Sequence, residues 1–471
     1  MTKKLNQYTV IGWMVALSSL ILFACSSLRH ALFQSTALDL AVFDQWIYLA
    51  SIDAPPISSL LNFHLLGDHA AFILYAIALL YKIIPNVHWL FAIQAIALSA
   101  GALPIYALSL QSGLSPVYAR AVALCYLLYP ALFNSNFFTD FRPEAIAVPA
   151  SLWAILAGIT GKTWQLIAAV ILILSCKEIL SLTVIALGLW FWLVAKKRLY
   201  GWGCIIFGIV WFVMTIGYLV PMLRAGEAGG VVFYATLGNS PSEILSNIFT
   251  NPGLILSKFF ATDTVFYYFL LVVPVIIGLR WQQAMILLPA LPMLLLNILS
   301  DYFAQRDLIH HYSLPIFPFI IVWLLHSVQQ YKRRKQRRWL TPKLLITWAL
   351  IAFLVLAKYG YFWSRYLNKL DTWQATREAV SQVKTKGSVL ATSAIAPHLA
   401  HRKLIELTNT DLPPTDLTKY DYILLNLRHP GWSSNKDFVT NLINQLKNNQ
   451  KFNLHYQHDD VYLFVKLSDL K

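Results

Sequence analysis

The sequence has few charged residues and few cysteines for its length. Charged residues make up 13% of 471 positions, about half the share of an ordinary soluble protein, whereas hydrophobic residues make up 58%. The four cysteines lie in or at the ends of apolar runs, and none has a C-x-x-C metal spacing. Walker, H-E-x-x-H and G-x-S-x-G motifs are also absent. The sequence therefore offers no cysteine metal site and none of the chemistry that those motifs mark.

Long apolar runs account for the low charge. Runs of 17 to 23 residues can cross a hydrocarbon core of roughly 30 Å as helices, which satisfy their own backbone hydrogen bonds. A single soluble core is excluded, and the sequence predicts an all-α polytopic membrane protein. The candidate runs are 10–29, 70–84, 88–110, 117–134, 143–160, 164–176, 178–195, 201–222, 264–279, 282–299, 311–328 and 342–362.

Basic clusters indicate the orientation in the membrane. The net charge of +15 includes clusters at 196–198 and 332–338, each after an apolar run, which is the positive-inside pattern and not a nucleic-acid site. With a cytoplasmic N-terminus, twelve spans would place both clusters outside. We therefore interpret 70–84, which reaches only about 23 Å as a helix, as a re-entrant or interfacial segment. About eleven transmembrane helices remain.

The polar C-terminal part has a different character from the rest of the chain. Strand-like runs at 388–392, 422–427 and 461–465 and a helical pattern near 436–447 predict a small α/β domain. We place it on the extracytoplasmic side. The predicted regions are a transmembrane domain at 1–363, with a first external loop at 30–87 and a further external loop at 223–263, and the α/β domain at 364–471.

Ionisable residues at the predicted external ends of the runs are the candidate functional groups, because charges at membrane depth are costly and usually line a cavity or pair. Asp39 and Asp44 are five residues apart and do not share a helix face. One of them is a candidate general base, and the other is a helix cap or a solvated group. The remaining candidates are His69, Asp140, Arg142, Glu144, Lys177, Glu178, Arg306, His310 and His311.

Each candidate also has a structural alternative. Asp140 could cap a helix that begins near Pro143, and Arg142 could form an ion pair within the same motif or bind a phosphate. Residues 176–178 could be a simple polar turn, and residues 301–312 an interfacial anchor rich in aromatic side chains. Together, however, carboxylates and cations on one side of an apolar bundle suit the binding of a lipid-linked phosphate.

Several motifs resemble those of a known family. The motifs are A-L-D-L-A-V-F-D-Q, D-H-A-A-F-I-L-Y, T-D-F-R-P-E-A-I and C-K-E-I-L-S-L-T, extended by H-H-Y-S-L-P-I-F-P-F and S-A-I-A-P-H-L-A-H-R. Over most of residues 35–405 the chain resembles the bacterial membrane-protein family called domain of unknown function 2079. That family is similar in layout to the GT-C glycosyltransferases, such as the protein mannosyltransferases and the aminoarabinose transferase of lipid A.

The GT-C layout implies an acidic motif in the first external loop and a sugar donor linked to polyprenyl phosphate. The first GT-C motif often reads Asp-Glu-x-x-Tyr, and Asp44-Gln45-Trp46-Ile47-Tyr48 matches it with Gln45 in place of the second acid. Asp140 matches the second acidic position of those enzymes. The departure at Gln45 argues against a paired-carboxylate site.

The resemblance implies a glycosyltransferase in the bacterial plasma membrane, with a lipid-linked sugar donor as partner. Asp44, or otherwise Asp39, would deprotonate the acceptor hydroxyl. The groups that would stabilise the leaving phosphate are Arg142, Lys177, and Arg306 or His311.

His69 and Asp140 would position the substrate or bind a divalent cation, although no strict ligand spacing supports a metal. Two other functions remain open from the sequence. One is a transporter or flippase for a lipid-linked or anionic solute, and the other is a non-catalytic membrane scaffold.

Overall fold

A computed structural model describes residues 2–224 and 229–467, so that the predicted external loop at 223–263 is described except for residues 225–228. The chain divides into two compact units. The bundle unit comprises Met1–Ala24, Leu66–Ile73 and Phe91–Lys358. The tail unit comprises Cys25–Leu65, Leu74–Leu90 and Tyr359–Lys471.

Helices dominate the described part of the chain. The α-helices are α1 (Thr2–Ala31), α2 (Val42–Ser51), α3 (Leu66–His69), α4 (Ile73–Ile83), α5 (His88–Ala100), α6 (Ala102–Gln111), α7 (Pro116–Leu127), α8 (Pro130–Phe138), α9 (Glu144–Thr160), α10 (Thr163–Cys176), α11 (Leu180–Leu193), α12 (Arg198–Met214), α13 (Val220–Arg224), α14 (Pro241–Thr250), α15 (Pro252–Phe260), α16 (Thr262–Val272), α17 (Leu291–Leu299), α18 (Phe317–Arg333), α19 (Pro342–Leu356), α20 (Trp373–Ser381) and α21 (Lys436–Lys447). The strands are β1 (Ile57–Ser58), β2 (Phe63–His64), β3 (Val389–Ala391), β4 (Ile405–Leu407), β5 (Tyr422–Asn426), β6 (Phe452–His458) and β7 (Val461–Lys466).

Five helical stretches in the described residues are long and apolar enough to cross a membrane, and the bent pair Pro252–Phe260 and Thr262–Gly278 would make a sixth as one span. The five stretches are Tyr8–Ala31, His88–Gln111, Pro116–Phe138, Arg198–Arg224 and Trp281–Leu299. Shorter apolar helices occur at Ile73–Ile83, Glu144–Thr160, Thr163–Cys176, Leu180–Leu193 and Pro342–Leu356. The mostly helical fold with several apolar helices is therefore confirmed, whereas the count of about eleven spans stays a prediction.

Close packing of α11 against α12 depends on glycines. A Cβ added at Gly188 of α11 would lie 2.6 Å from the carbonyl oxygen of Gly201 in α12. A Cβ added at Gly208 would lie 2.7 Å from the side chain of Ile185. Without side chains at these positions the two backbones can approach closely, as small residues allow in membrane helices.

The tail unit contains a five-stranded sheet in the order β4-β3-β5-β7-β6. β3 pairs in parallel with its neighbours β4 and β5. β7 pairs antiparallel with β5 and with β6. β3, β5, β7 and α21 coincide with the predicted runs, which confirms the small C-terminal sheet region. β4 and β6 were not predicted, because β4 has only three residues and β6 is largely exposed and polar.

Both faces of this sheet are covered by other elements. Successive side chains of β5 point to opposite faces, so its apolar residues need cover on each side. Ile423 and Leu425 pack with apolar residues of α21. On the other face, Leu424 packs with Ala375 and Ala379 of α20, and this cluster also contains Ala37 and Ala41 from the predicted first external loop. The compact tail unit therefore includes first-loop residues, a division that differs from the sequence-based boundary at 363; that boundary stays a prediction.

Candidate active site

Asp44 is a buried carboxylate in the tail unit. It lies in the first turn of α2 and is 2% exposed. The Tyr81 hydroxyl of α4 donates a hydrogen bond to Oδ1 of Asp44 at 2.6 Å, and Nε2 of His401 bonds the same oxygen at 2.9 Å. Since an ionised carboxylate only accepts hydrogen bonds, Nε2 of His401 carries the proton.

The imidazole of His401 is held by a ring stack. The ring of Tyr48 lies parallel to it, with centroids 4.9 Å apart and an interplanar angle of 7°. The ammonium of Lys386 lies 5.6 Å from the centroid of the Tyr48 ring. Partial burial, and after it the Arg402 guanidinium, lowers the pKa of Lys386. Lys386, the rings of Tyr48 and His401, and the carboxylate of Asp44 therefore lie close together in the tail unit.

A second histidine pair lies in the same unit. The rings of His30 and His398 stack with centroids 3.9 Å apart. Burial, followed by the charge of His30, lowers the pKa of His398 well below its usual value. His398 is therefore neutral near pH 7 and contributes no positive charge.

Asp39 and Asp44 differ in burial, as the spacing predicts. Asp39 lies in a π-helical turn at Ala37–Ala41 and is partly exposed, and its carboxylate accepts a hydrogen bond from the Thr36 hydroxyl at 2.9 Å. Asp44 is the inward-pointing acid of the two. This difference favours Asp44 as the candidate base.

Gln45 has a structural role that explains its departure from the acidic pair. Its side chain is fully buried. Nε2 donates to the Ser59 hydroxyl at 2.9 Å and to the Arg402 carbonyl at 3.1 Å. Oε1 accepts from the Ser58 hydroxyl at 2.8 Å and from the Ser59 amide at 3.1 Å. An amide can satisfy this set of donors and acceptors, whereas a carboxylate cannot donate.

A separate cluster of charges lies in the bundle unit. The Lys177 ammonium is 2.6 Å from Oε1 of Glu144, and Nε2 of His311 is 3.9 Å from the same oxygen. All three side chains are at most 14% exposed. Burial by itself would lower the pKa of Lys177, but Glu144 and Glu178 outweigh it and raise that pKa. Lys177 therefore stays charged.

His69 joins this cluster through Glu178. Its Nδ1 is 3.5 Å from Oε1 of Glu178, and its Nε2 is 3.3 Å from Oδ2 of Asp68. Arg224 in turn lies 3.4 Å from Asp68. The structure thus brings together sequence-predicted residues from four separate motifs.

Other predicted residues have different partners. Nε of Arg306 donates to Asp263 at 2.6 Å, so that this guanidinium is engaged outside the Glu144 cluster. His310 pairs with Asp307 at 2.7 Å. The backbone amide of Arg142 donates to Oε1 of Gln94 at 2.8 Å, which fixes the chain next to Asp140.

Asp140 is buried, at 2% exposed. α9 begins at Glu144, and its N-cap residue Pro143 makes no side-chain cap hydrogen bond. A capping role for Asp140 stays a prediction. Among the residues described, no group of three or more His, Cys, Asp or Glu side chains has the geometry to hold a metal ion.

Comparison with known proteins identifies the family. The model of the family described as "Predicted membrane protein (DUF2079)" matches residues 29–463. The chain belongs to the DUF2079 family. The resemblance that the sequence motifs carry is confirmed, and this DUF2079 protein is a membrane protein.

Solved structures with the same fold include ArnT from Cupriavidus metallidurans, bound to undecaprenyl phosphate and in the apo state. The TM-scores are 0.50 and 0.52, at 10% sequence identity. In both comparisons 97% of this chain and 98% of ArnT are covered. A search of curated proteins finds no match. At this identity the likeness shows the fold alone.

Sequence reasoning missed the two partners of Asp44 in this DUF2079 protein. Tyr81 lies inside an apolar run, where a single tyrosine is not a signal. His401 belongs to the motif S-A-I-A-P-H-L-A-H-R, which carried the family resemblance but lies 357 residues from Asp44. The histidines of that motif, in a polar region, were the one signal that could have pointed to the site.

Proposed function

We propose that this DUF2079 protein is a GT-C-type glycosyltransferase that moves a sugar from a polyprenyl-phosphate donor to an acceptor at the extracytoplasmic face. The observation that carries the proposal is the buried, hydrogen-bonded carboxylate of Asp44 in the first external loop. The fold shared with ArnT, whose structure holds undecaprenyl phosphate, supports a lipid phosphate as the leaving group.

In the proposed reaction Asp44 acts as general base. Its carboxylate takes the proton of the acceptor hydroxyl while the hydroxyl oxygen attacks C1 of the sugar. The bond between C1 and the phosphate oxygen breaks, the configuration at C1 inverts, and polyprenyl phosphate leaves with the bonding electrons. The enzyme gains one proton at Asp44, which passes to water before the next turnover.

Basic side chains near Asp44 and near Glu144 are proposed to bind anionic groups. In the tail unit, the ammonium of Lys386 lies 5.6 Å from the centroid of the Tyr48 ring, which stacks on His401, and it suits a phosphate. In the bundle unit, Lys177, Arg142 and His311 are proposed to bind the phosphate of a lipid carrier, with His69 as a positioning group. We leave Arg306 out of this set, because its guanidinium already bonds Asp263 and two backbone carbonyls. Binding of a divalent cation near Asp44 or near Glu144 is also a proposal.

Mass spectrometry of lipid-linked sugars and surface glycans tests the function in a strain that lacks the gene. The strain is complemented with wild type, Asp44→Asn, Asp39→Asn or the exposed control Asp437→Asn. The asparagine side chain of Asp44→Asn keeps a carbonyl oxygen for Tyr81 and His401 but is not basic, so that the fold is retained. We expect a surface sugar to vanish on deletion and its polyprenyl-phosphate donor to accumulate.

Wild type and Asp437→Asn should restore the sugar, whereas Asp44→Asn should reduce transfer at least about 100-fold, the lower range for general base catalysis. Loss of transfer in Asp39→Asn alone would assign the base to Asp39. Unchanged glycans on deletion, or full activity of Asp44→Asn, would contradict the transferase proposal.

A transporter is the second candidate, because the bundle unit has a buried ion pair between Glu144 and Lys177 and, elsewhere, interrupted apolar helices. The 3₁₀ stretches Val273–Gly278 and Trp281–Ala290 interrupt the apolar helices, as discontinuous helices do in many transporters. The transporter would be favoured if a lipid-linked sugar accumulated on the cytoplasmic face of the deletion strain while transfer chemistry stayed intact.

A further inference from the structure

The two hydrogen bonds to Asp44 meet on one of its oxygens. Tyr81 and His401 both bond Oδ1, at 2.6 and 2.9 Å. Oδ2 receives no hydrogen bond from any residue in the described ranges 2–224 and 229–467. A carboxylate has about four acceptor positions on two oxygens. One oxygen of Asp44 is therefore held by the protein, and the other is left for a further donor.

We propose that Tyr81 and His401 are positioning residues, which hold Asp44 through Oδ1 so that Oδ2 accepts the proton of the acceptor hydroxyl. This inference rests on the proposed function, in which Asp44 is the base. It adds a role for the C-terminal tail, because His401 lies in the loop between β3 and β4. It also gives α4 a role in the site, because Tyr81 lies in its last turn.

The position of His401 is fixed by its surroundings. Tyr48 stacks on its ring, and the neighbouring Arg402 is 3% exposed. The Arg402 guanidinium donates to the carbonyls of Leu399 and Gly387 at 2.5 Å each. The Arg402 carbonyl accepts from Gln45, the residue after Asp44. Ring, side chain and backbone around His401 are thus each held, which is what a precise hydrogen bond to a base requires.

The position of Tyr81 is equally constrained. Its side chain is 1% exposed, and its ring lies edge-on to His401 with centroids 5.7 Å apart. Burial without a hydrogen-bond partner would be costly for a phenol hydroxyl. The bond to Asp44 satisfies that hydroxyl and orients the carboxylate at once.

Three further titratable groups face Asp44 from the surrounding elements. They are His88 at the start of α5, His398 in the tail loop, and Lys386 before β3. Each stays in place in variants of Tyr81 and His401. A change in pH dependence in those variants therefore reports the removed hydrogen bond.

Transfer rates measured against pH with the purified full-length protein test the inference. The donor source is the lipid extract of the deletion strain, which holds the unused lipid-linked sugar, and the acceptor source is its cell envelope. The variants are Tyr81→Phe, His401→Phe and His401→Gln. His401→Phe keeps the ring against Tyr48 but has no N–H, whereas His401→Gln has an N–H but no ring. His455→Phe, at an exposed tail position, is the control.

Hydrogen bonds from donors favour the ionised carboxylate. In Tyr81→Phe and His401→Phe we therefore expect the acid limb of the rate profile to move up by about one pH unit, the effect of one hydrogen bond to a charged group. The rate near pH 7 should fall at least tenfold, mainly in kcat. His401→Gln should return the acid limb to the wild-type position, and His455→Phe should leave the profile unchanged.

The outcomes separate the two proposals. If the wild-type protein transfers sugar but His401→Phe and Tyr81→Phe keep its rate and profile, the positioning roles are overturned. A uniform loss of rate with no shift of the acid limb, and no recovery in His401→Gln, indicates a structural role only and also overturns them. If the wild-type protein transfers no sugar from these extracts, the proposed function itself fails.

Discussion

Gln45 lies beside the candidate base, and its buried amide matches its neighbours atom by atom. In Gln45→Glu, a carboxylate oxygen would replace Nε2 and face the Arg402 carbonyl, about 3.1 Å away in the present structure. The hydrogen bonds donated by Nε2 would be lost and a charge would be buried. Because such a group costs about 1–3 kcal/mol, and more when charged, we expect a clear fall in the thermal unfolding midpoint in detergent.

The exposed position Gln457 provides the matched control for this substitution, and Gln457→Glu should leave the midpoint unchanged. Wild-type stability in Gln45→Glu, together with faster transfer, would mean that the acidic pair of the GT-C motif describes this site better.

The candidate base could be found from the sequence, but its partners could not. Asp44 is a carboxylate close to a long apolar run, and such a charge is conspicuous. Tyr81 and His401 are recognised only once the fold brings α2, α4 and the tail loop together. The charged residues of the bundle unit were found for the same reason as Asp44, and the pairing of Lys177 with Glu144 needed coordinates, since 33 residues separate them.

At the scale of elements, strand prediction succeeded where strands are buried on both faces. All five residues of β5 are buried, and this gives a continuous apolar run in the sequence. β6 has mostly exposed or half-buried positions as the edge strand, and β4 has only three residues, so that neither gives a clear pattern. The number of membrane spans is harder to predict, because several apolar helices are only 11 to 17 residues long.

The crossing of α11 and α12 provides a test at the same scale. In Gly188→Val the new side chain would meet the Gly201 carbonyl and the Ile205 side chain, at 2.6 and 2.8 Å from its Cβ. Forced overpacking of this kind costs about 1–3 kcal/mol. We expect Gly188→Val to lower the unfolding midpoint by several degrees, as measured by thermal size-exclusion chromatography.

Gly203→Val in α12 is the control for this test, because nothing lies within 4 Å of a Cβ added there. Both variants change the same residue type within a helix, and the intrinsic helix propensity changes equally. A difference between their midpoints therefore measures the crossing. Equal midpoints would show that α11 and α12 do not pack as closely as described.

At the scale of the whole molecule, the segment predicted as the first external loop and the C-terminal tail share one core. Ala37 and Ala41 are fully buried among Val389, Ala391 and Leu463 of the sheet. The sequence places these segments in different regions, since more than 300 residues lie between them. Hydropathy detects the apolar helices, but it does not show which polar segments pack together. The predicted domain boundary at 363 therefore differs from the bounds of the tail unit.

A shared core predicts that a defect in the first loop opens the tail. In Ala41→Trp a large side chain would replace a fully buried methyl group, which strains the sheet and α20. Leu38→Trp, three residues away at a position that is 40% exposed, is the control. We expect trypsin to cleave the tail of Ala41→Trp faster, at exposed sites such as Lys384 and Lys386, and the tail of Leu38→Trp at the wild-type rate. Because an independent 364–471 domain would ignore a substitution at residue 41, equal cleavage in both variants would establish the sequence-based boundary and remove the first loop from the core of the tail.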